Sequence, residues 1–362
     1  MGTSEIFKDL KIIELASVLA GPAVGLFFAE LGAEVIKIEN QGTGGDTTRH
    51  WKLPQEDQKA PYSAYFHSVN WGKQHHFLNL KEQEDYQQLL ALVAEADIVI
   101  SNYKAGSAQK LGVDYESLRQ HNPQLIYGRI SAYGDDDPRP GFDVLIQAET
   151  AWLSMNGEAG GPPVKLPVAL MDIMAAHQLK EGLLVALLQR YKTGKGSQVA
   201  VALFDAGVAS LANQATNWLN VGHNPQRMGS QHPNIAPYGD IHYSQEGKPV
   251  ILSTGTEKQY LALLDCLELS ELKADPRFTS NALRLKHRAE LNKHLAAAFA
   301  QLPLATLLDR CAAQGVPLAP IRDMKALFEL PEAQRLVMEE TLPDGYLSKR
   351  VKTAVFKLKP GG

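Results

Sequence analysis

Short runs of β-branched and other apolar residues alternate with helical stretches along the first third of the chain. The runs that predict strands are "KIIELA", "EVIKIE", "DIVISN" and "LIYGRISAYG", and "QQLLALVAEA" predicts a helix between the second and the third. Strands separated by helices of this length favour βαβ units and a mostly parallel sheet that is covered on both faces. The pattern therefore predicts the α/β fold class.

The carboxyl ends of these strands are the expected place for a ligand, because open parallel sheets bind ligands in the crevice at that edge. Residues 20–22, 102–104 and 131–134 all fall at such ends. We therefore expect a binding crevice that is built from these three segments.

The rest of the chain predicts a second domain. Glycine and proline are frequent over residues 135–167, which predicts loops, and the strongly helical segment "DIMAAHQLKEGLLVALLQRYKTG" then begins at Asp172. Beyond about residue 222, turn-rich sequence with short β runs is followed by several helical segments. We predict a large domain over residues 1–220, completed by residues 331–362, and a smaller α+β domain over residues 225–330.

Composition excludes several classes of function. The chain has 362 residues, of which 44% are hydrophobic, and its net charge of -4 provides no basic surface for nucleic acid or an anionic membrane. The 11 histidines lack metal-ligand spacing, so no metal is expected, and the two cysteines lie in apolar helical stretches that predict buried thiols. No apolar run approaches the roughly 18 residues of a membrane span, and the first residues lack a secretory signal. We expect a cytoplasmic protein.

The turn after the first strand is where a dinucleotide such as NAD would bind, and its sequence can be compared with the fingerprint for such a ligand. The G-x-G-x-x-G fingerprint needs a middle glycine so that the backbone can approach the pyrophosphate. Here Ala23 replaces that glycine between Gly21 and Gly25, and Pro22 beside it lacks an amide donor. Glu39 ends the second strand, where such folds hold a ribose, but acidic residues are common at strand ends. The fold is predicted to be Rossmann-like, with a ligand other than NAD.

Longer motifs along the chain resemble one family. They include "LASVLAGPAVGLFFAELGAEVIKIEN", "GGDTTR", "ADIVISNYKAGSAQKLGV", "PGFDVLIQAETAWLSMNGE", "LPVALMDIMAAHQLKEGLLVALLQRYKTGKGSQVAVALFDA", "RMGSQHPNIAPYGDI" and "GVPLAPI". With these motifs, from residue 7 to about 350, the chain resembles the class III (CaiB/BaiF-type) coenzyme A transferases, in the superfamily of formyl-CoA transferase and α-methylacyl-CoA racemase. The resemblance implies an enzyme that moves coenzyme A (CoA) between carboxylic acids, with acyl-CoA and a carboxylate as substrates and neither a metal nor NAD. It also implies a homodimer of interlocked, ring-like subunits.

The resemblance implies that Asp172 is the catalytic nucleophile. An aspartate in the first helical turn is stabilised by the helix dipole and by free backbone amides. An N-terminal cap of the helix is the alternative interpretation, but the apolar neighbours "VALM" and "IMAA" predict a poorly solvated carboxylate. The resemblance favours catalysis.

Two neighbouring positions bear on the type of reaction. Asp143 matches an acidic residue found in both branches of the superfamily and is expected to orient the substrate or the catalytic loop, although a simple turn role after Gly141 is an alternative. Phe142 stands where the racemases carry a catalytic histidine. Racemisation needs a second acid or base at the α-carbon, which phenylalanine cannot supply.

The family's CoA contacts map onto six positions of this chain. Two lysines are expected to meet the phosphates, a tyrosine to pack on the adenine or pantetheine, and an asparagine to hydrogen-bond it. The matched residues are Leu19, Ala20, Lys73, Asn102, Tyr103 and Lys110. Each lysine taken alone predicts a solvated surface charge. Asn40 departs from the family, which often has an arginine after "IKIE", and Arg49 is a candidate substitute or a carboxylate clamp.

The small domain contributes one further segment. The loop "GSQHPNIAPY" resembles a site-facing segment of the transferases, and the residues expected to contact the substrate are Gly229, Ser230, Gln231 and His232. Two functions remain as alternatives to CoA transfer. One is an α-methylacyl-CoA racemase or epimerase, and the other is a non-catalytic acyl-CoA-binding relative, to which the early end of the chain after "FKLKPGG" points.

Overall fold

The computed structural model describes residues 5–104, 106–134, 137–342 and 345–358. The last four residues, which end the "FKLKPGG" motif, lie outside this described part. The chain divides into two compact units. The first comprises Met1–Leu153, Lys165–Asn224 and Arg335–Gly362, and the second comprises Ser154–Val164 and Pro225–Gln334. The segment Ser154–Val164, which the sequence analysis counted with the large domain, therefore packs in the second unit.

Within the described residues, six strands of the first unit form one parallel sheet. They are β1 (Lys11–Leu15), β2 (Glu34–Asn40), β3 (Gln74–Leu78), β4 (Ile98–Ser101), β5 (Ile126–Ser131) and β6 (Ser197–Ala202). Their order is β3-β2-β1-β4-β5-β6, and every pair is parallel. This confirms the predicted α/β class with a parallel, Rossmann-like sheet. The strand order reverses between β1 and β4, and the ligand crevice of such sheets opens at that point.

Helices occupy the connections between these strands and the segments that follow them. As far as residue 221 they are α1 (Ala20–Glu30), α2 (Ala64–Asn70), α3 (Gln83–Ala94), α4 (Ser107–Lys110), α5 (Tyr115–Leu118), α6 (Asp143–Glu149), α7 (Trp152–Met155), α8 (Leu170–Thr193), α9 (Leu203–Ala209) and α10 (Ala212–Val221). The predicted long helix is α8, which ends at Gly194 because this residue takes a left-handed φ of 70° that glycine adopts without strain.

The four central strands, β2, β1, β4 and β5, are buried on both faces, which explains why their sequences are mostly apolar. Ile12 of β1 packs into one cluster with Phe28 of α1 and Leu179 of α8. Its neighbour Ile13 points to the opposite face and packs with Leu89 of α3. Because successive side chains of a strand point to opposite faces, β1 contributes to the hydrophobic core on each face of the sheet.

The strand β3 was missed by the sequence analysis. Its sequence, "QHHFL", carries three polar residues among its five, and only Leu78 is fully buried. It is an edge strand of the sheet, beside β2, and four of its five residues are exposed or half-buried. Hydrophobic pattern alone does not distinguish such an edge strand from a loop.

The second unit is a smaller α+β assembly. Its strands β7 (Tyr238–Tyr243), β8 (Pro249–Ser253) and β9 (Leu318–Pro320) form an antiparallel sheet in that order. The helices are α11 (Glu257–Cys266), α12 (Asn281–Lys286), α13 (Arg288–Phe299), α14 (Leu304–Ala313), α15 (Met324–Phe328) and α16 (Pro331–Gln334). The core includes Leu263, Leu295 and Phe299, together with Cys266 and Cys311, both of which are free thiols.

The final segment belongs to the first unit and is tied to it by one buried carboxylate. A hairpin of β10 (Val337–Thr341) and β11 (Leu347–Val351) precedes it. Glu30, the last residue of α1, accepts hydrogen bonds from the amides of Thr353, at 3.0 Å, and Ala354, at 2.6 Å. It also pairs with the buried guanidinium of Arg350. Residues 350–354 are thus held to α1 by charge-assisted hydrogen bonds.

Among the described residues, every helix is too short or too polar to cross a membrane.

Candidate active site

A cleft of about 240 Å³ opens at the carboxyl ends of the central strands of the first unit. Leu19 and Ala20, after β1, line it, as do Asn102 and Tyr103, after β4. Asp172 of α8 lies in the same lining. The crevice predicted from the strand ends is therefore present, and it brings together five of the residues that the sequence analysis selected.

Asp172 is the third residue of α8, so its carboxylate lies at the amino-terminal end of that helix. The side chain is half-buried, and burial raises the pKa of Asp172 to about 7, with a further contribution from the nearby Asp143 carboxylate. Within the described part of the chain, no hydrogen bond or ion pair reaches the Asp172 carboxylate. It is therefore a poorly solvated acid that faces a cleft without a structural partner.

Asp143 holds the start of α8. It is the first residue of α6, and its Oδ1 accepts a hydrogen bond from the amide of Met171 at 2.7 Å. Its Oδ2 accepts one from Nε2 of Gln147 at 2.6 Å, and Gln147 in turn accepts from the amide of Leu166 at 2.9 Å. Since α8 lacks a side-chain cap from its own N-cap residue, Asp143 supplies that role from another helix. A simple turn residue would not make this contact.

Asn102 connects two walls of the cleft. Its Oδ1 accepts from the amide of Ser17 at 3.0 Å, and its Nδ2 donates to the Ser17 carbonyl at 2.7 Å. An asparagine amide has a second N–H and further lone pairs. Asn102 thus supports the turn after β1 and retains capacity for one contact with a ligand.

The structure contradicts the predicted phosphate contact of Lys73. Its side chain is completely buried, and its Nζ donates to Oε2 of Glu14 at 2.7 Å and to the carbonyl of Pro22 at 2.9 Å. Burial lowers the pKa of Lys73 to about 8, against the opposing effect of Glu14. A phosphate cannot reach this ammonium group, because protein atoms surround it on every side.

Lys110 lies where a phosphate can reach it. It is exposed at the end of α4 and lines a groove of about 340 Å³ together with Lys81. Lys81 also lines a second, smaller groove together with Tyr103. Tyr103 lines the central cleft as well, so it connects this groove to the cleft. Lys81 was missed by the sequence analysis, because a lysine between a strand and a helix is ordinarily a solvated surface charge.

Arg49 and Glu39 are engaged with each other rather than with the cleft. The Nε of Arg49 donates to Oε2 of Glu39 at 2.7 Å, and its guanidinium lies 3.9 Å from the ring centroid of Phe66. Nδ1 of His75 lies 2.7 Å from Oε1 of Glu39. Because Arg49 is only 7% exposed, the structure contradicts its predicted role as a substitute for the missing arginine at Asn40 or as a carboxylate clamp.

Two further side chains near the cleft were missed. Burial raises the pKa of Tyr65 in α2, and the Asp172 and Asp143 carboxylates add to this effect, which places the phenol near both acids. Arg139 lines the cleft beside Phe142 and stacks on Tyr133 at 3.9 Å. No sequence spacing links residue 65 with residue 172, so only the fold reveals this proximity.

The predicted substrate loop makes several hydrogen bonds inside the second unit. Gly229 has a left-handed φ of 62°, and the hydroxyl of Ser230 donates to the Gly239 carbonyl. Nε2 of Gln231 donates to Oδ1 of Asp240 at 2.9 Å, and the His232 carbonyl accepts from Arg288 at 2.7 Å. The role of these residues in substrate contact stays a prediction. No group of three or more potential metal ligands is found among the described residues.

Comparisons with known proteins bear on the whole chain. The model of CoA-transferase family III matches residues 7–360. An acyl-CoA transferase of Fusarium pseudograminearum is 37% identical over 331 residues, which are 89% of this chain and 72% of that protein. A succinate–glutarate CoA-transferase of Agrobacterium fabrum is 35% identical over 356 residues, which are 96% of this chain and 88% of that protein.

The fold comparison agrees with the sequence comparisons. The crystal structure of a CaiB/BaiF family protein from Brucella suis superposes with a TM-score of 0.87 at 37% identity, and covers 98% of this chain and 93% of that one. The resemblance inferred from the motifs is thus confirmed by near full-length matches in sequence and in structure. The chain belongs to CoA-transferase family III, and it is an enzyme of the transferase type.

Proposed function

We propose that this enzyme exchanges CoA between two carboxylic acids through covalent intermediates on Asp172. The Asp172 carboxylate attacks the acyl-CoA carbonyl, which forms a mixed anhydride and releases CoA thiolate. The thiolate attacks the aspartyl carbonyl, which gives an aspartyl-CoA thioester and frees the donor acid. The acceptor carboxylate then attacks that thioester, and the released thiolate attacks the new anhydride to form the product and restore Asp172. Covalent catalysis thus divides one difficult transfer into easier steps.

The observation that carries this proposal is the unpaired, half-buried carboxylate of Asp172 in the cleft. A carboxylate with little hydration is a stronger nucleophile than a solvated one. The amino-terminal end of α8 stabilises its negative charge, which keeps a reactive fraction ionised near neutral pH. Asp143 fixes the first turn of α8 and so acts as a positioning residue for the nucleophile.

The surface beside Asp172 suits an elongated thioester with phosphates at one end. The central cleft leads past Tyr103 to the groove with Lys81, and the adjoining groove adds Lys110. We propose that the thiol arm of CoA lies against Leu19 and Ala20, and that the lysines neutralise its phosphates. The substrate loop of the second unit, from Gly229 to His232, is proposed to contact the acid, and the enzyme is proposed to act as a homodimer.

The reaction is tested with a panel of acyl-CoA donors and carboxylic acid acceptors, with the CoA esters identified by mass spectrometry. We propose short dicarboxylic acids as substrates, since a relative that is 35% identical is named for succinate and glutarate. Deuterium exchange at the α-carbon in the absence of any acceptor would instead indicate a racemase. Tight CoA binding without turnover on the whole panel would indicate a non-catalytic relative.

The pH dependence of transfer tests the electrostatics of the two acids. With the pKa of Asp172 raised to about 7, kcat/KM should fall as pH drops below 7, because the nucleophile becomes protonated. Asp143→Asn removes the neighbouring negative charge, so the acid limb of the kcat/KM–pH profile should move to lower pH. Because burial is the larger cause of the raised pKa, the limb should stay well above the ordinary value of 3.8. An unchanged limb in Asp143→Asn would contradict the assignment.

The two lysines predicted for CoA should respond differently to substitution. Lys110→Ala should raise the KM for acyl-CoA about fivefold with little change in stability, since an exposed charge contributes up to about 1 kcal/mol. Lys73→Met should lower the melting temperature, because it leaves Glu14 buried with one partner fewer. Lys195→Ala, at an exposed lysine after α8, is the matched control for loss of a surface charge. Equal KM values for Lys110→Ala and the control would oppose the proposed phosphate site.

A further inference from the structure

The turn between β1 and α1 contains a residue in an unfavourable backbone conformation. Val18 has a φ of 71°, in the left-handed region that β-branched residues rarely adopt because the side chain crowds the backbone. It lines the cleft beside Leu19 and Ala20. Such a conformation persists only where surrounding contacts hold it.

Asp46 makes the contact that holds Val18. The amide of Val18 donates to both carboxylate oxygens of Asp46, at 3.3 and 3.2 Å. The amide and hydroxyl of Thr48 donate to Oδ1 of Asp46, at 3.0 and 2.9 Å, which keeps the carboxylate in one orientation. Asp46 is only 4% exposed, so these bonds are shielded from water.

A buried lysine supports both this carboxylate and the turn itself. The Nζ of Lys37 lies 3.1 Å from Oδ2 of Asp46 and 2.9 Å from Oε1 of Glu14, and it donates to the Ala16 carbonyl at 2.6 Å. Its side chain is almost completely buried. Lys73 pairs with the other oxygen of Glu14, so two cations face two carboxylates. The charges of these four side chains sum to zero. This neutrality lowers the free-energy cost of burying them away from water.

These charges lie outside the cleft lining, so the proposed reaction leaves them without a role. The amide of Val18, which donates to Asp46, connects these charges to the cleft lining. The turn has a second support on its other side, where Asn102 holds both backbone groups of Ser17. The shape of this cleft wall is therefore set by side chains that do not themselves line it, together with Asn102, which does.

We propose that Asp46 is a positioning residue for CoA binding. Through the Val18 amide it holds the turn over residues 17–20 in the conformation that receives the thiol arm of CoA, and Lys37 keeps its carboxylate in place. This inference rests on the proposed function, because it assumes that CoA occupies the cleft. It adds a determinant of CoA affinity that lies behind the wall of the cleft.

A double-mutant cycle between Asp46 and Val18 tests the inference, with CoA affinity measured by calorimetry on the full chain. Asp46→Ala should raise the Kd for CoA about tenfold in the wild-type background, a change of about 1.4 kcal/mol. In a Val18→Gly background the same substitution should raise Kd threefold or less. Glycine adopts a positive φ without a side-chain clash, so the turn then needs less restraint. The KM for acyl-CoA should follow Kd, and kcat should change less.

Asp114→Ala is the matched control, since Asp114 also accepts a backbone amide as the cap of α5 and lies outside the cleft lining. It should leave Kd within about twofold of the wild type. If Asp46→Ala does not fold, Asp46→Asn replaces it, and about a threefold rise that disappears in Val18→Gly is expected. A folded Asp46 variant with unchanged Kd, or an equal rise in both backgrounds, would overturn the inference. Absence of CoA binding by the wild type would instead reject the proposed function itself.

Discussion

Asp172→Ala should abolish CoA transfer, with kcat lower by at least about 10⁴-fold. The proposed reaction needs an oxygen nucleophile at this position to form the anhydride, and no other carboxylate lines the cleft among the described residues except Asp137, which is held by Arg139. Steady-state rates with the best donor and acceptor pair measure the loss. CoA binding should persist, because the substitution removes no cation or wall residue from the grooves near Lys110.

Covalent trapping distinguishes a nucleophile from a residue that only maintains the structure of the site. Incubation of the wild type with acyl-CoA and hydroxylamine should convert Asp172 into a hydroxamate, which peptide mass spectrometry locates. Asp172→Asn, which keeps the size of the side chain, should give neither turnover nor label. Asp143→Ala should reduce the rate while the label on Asp172 still forms. Transfer at the wild-type rate by Asp172→Ala would eliminate the mechanism.

Glu30→Ala should lower the free energy of unfolding by about 3–5 kcal/mol, the range for removal of one partner from a buried ion pair. The change leaves Arg350, which is 7% exposed, without its carboxylate. It also removes the acceptor for the amides of Thr353 and Ala354, so residues 350–354 lose their attachment to α1. Urea denaturation followed by circular dichroism measures the loss.

Glu34→Ala is the control for this prediction, since Glu34 is an exposed acid of the same unit whose carboxylate, among the described residues, accepts a hydrogen bond from the side-chain amide of Gln74 alone. It should change stability by less than about 0.5 kcal/mol. Burial acts to raise the pKa of Glu30, but hydrogen bonds from Ala354, Thr353 and Arg350 outweigh it and hold this pKa below its ordinary value of 4.5. The stabilisation is therefore complete above pH 4.5 and is lost as pH falls through the depressed pKa. If Glu30→Ala is as stable as Glu34→Ala, the contacts of Glu30 with Arg350, Thr353 and Ala354 contribute little to stability.

Several features of the fold follow directly from the sequence. The runs of β1, β2, β4 and β5 predict buried parallel strands because apolar residues outnumber polar ones in their central positions, although β1, β2 and β5 also carry charged residues. Once the strands are parallel, their carboxyl ends must meet at one edge. Residues such as Ala20 and Asn102 therefore reach one cleft although they are far apart in the chain. β3 escaped prediction because an edge strand buries too little surface to impose a pattern.

The sequence also determined the place of the proposed nucleophile. A helix that begins just before Asp172 places this acid at a positive helix end, and the apolar residues on both sides predict that it is poorly solvated. The likeness of the motifs to CoA-transferase family III needed no coordinates either. These conclusions depend on short-range residue patterns, which local sequence controls.

Only the tertiary structure decided which charged residues remain available for a ligand. Lys73 and Lys110 look alike in the sequence, yet one is buried against Glu14 and the other faces a groove. The proximity of Asp143, which helps to raise the pKa of Asp172, likewise depends on contacts between segments almost thirty residues apart. The physical reason is that desolvation and charge pairing depend on the distance between side chains in space, whereas the sequence specifies directly only their order along the chain.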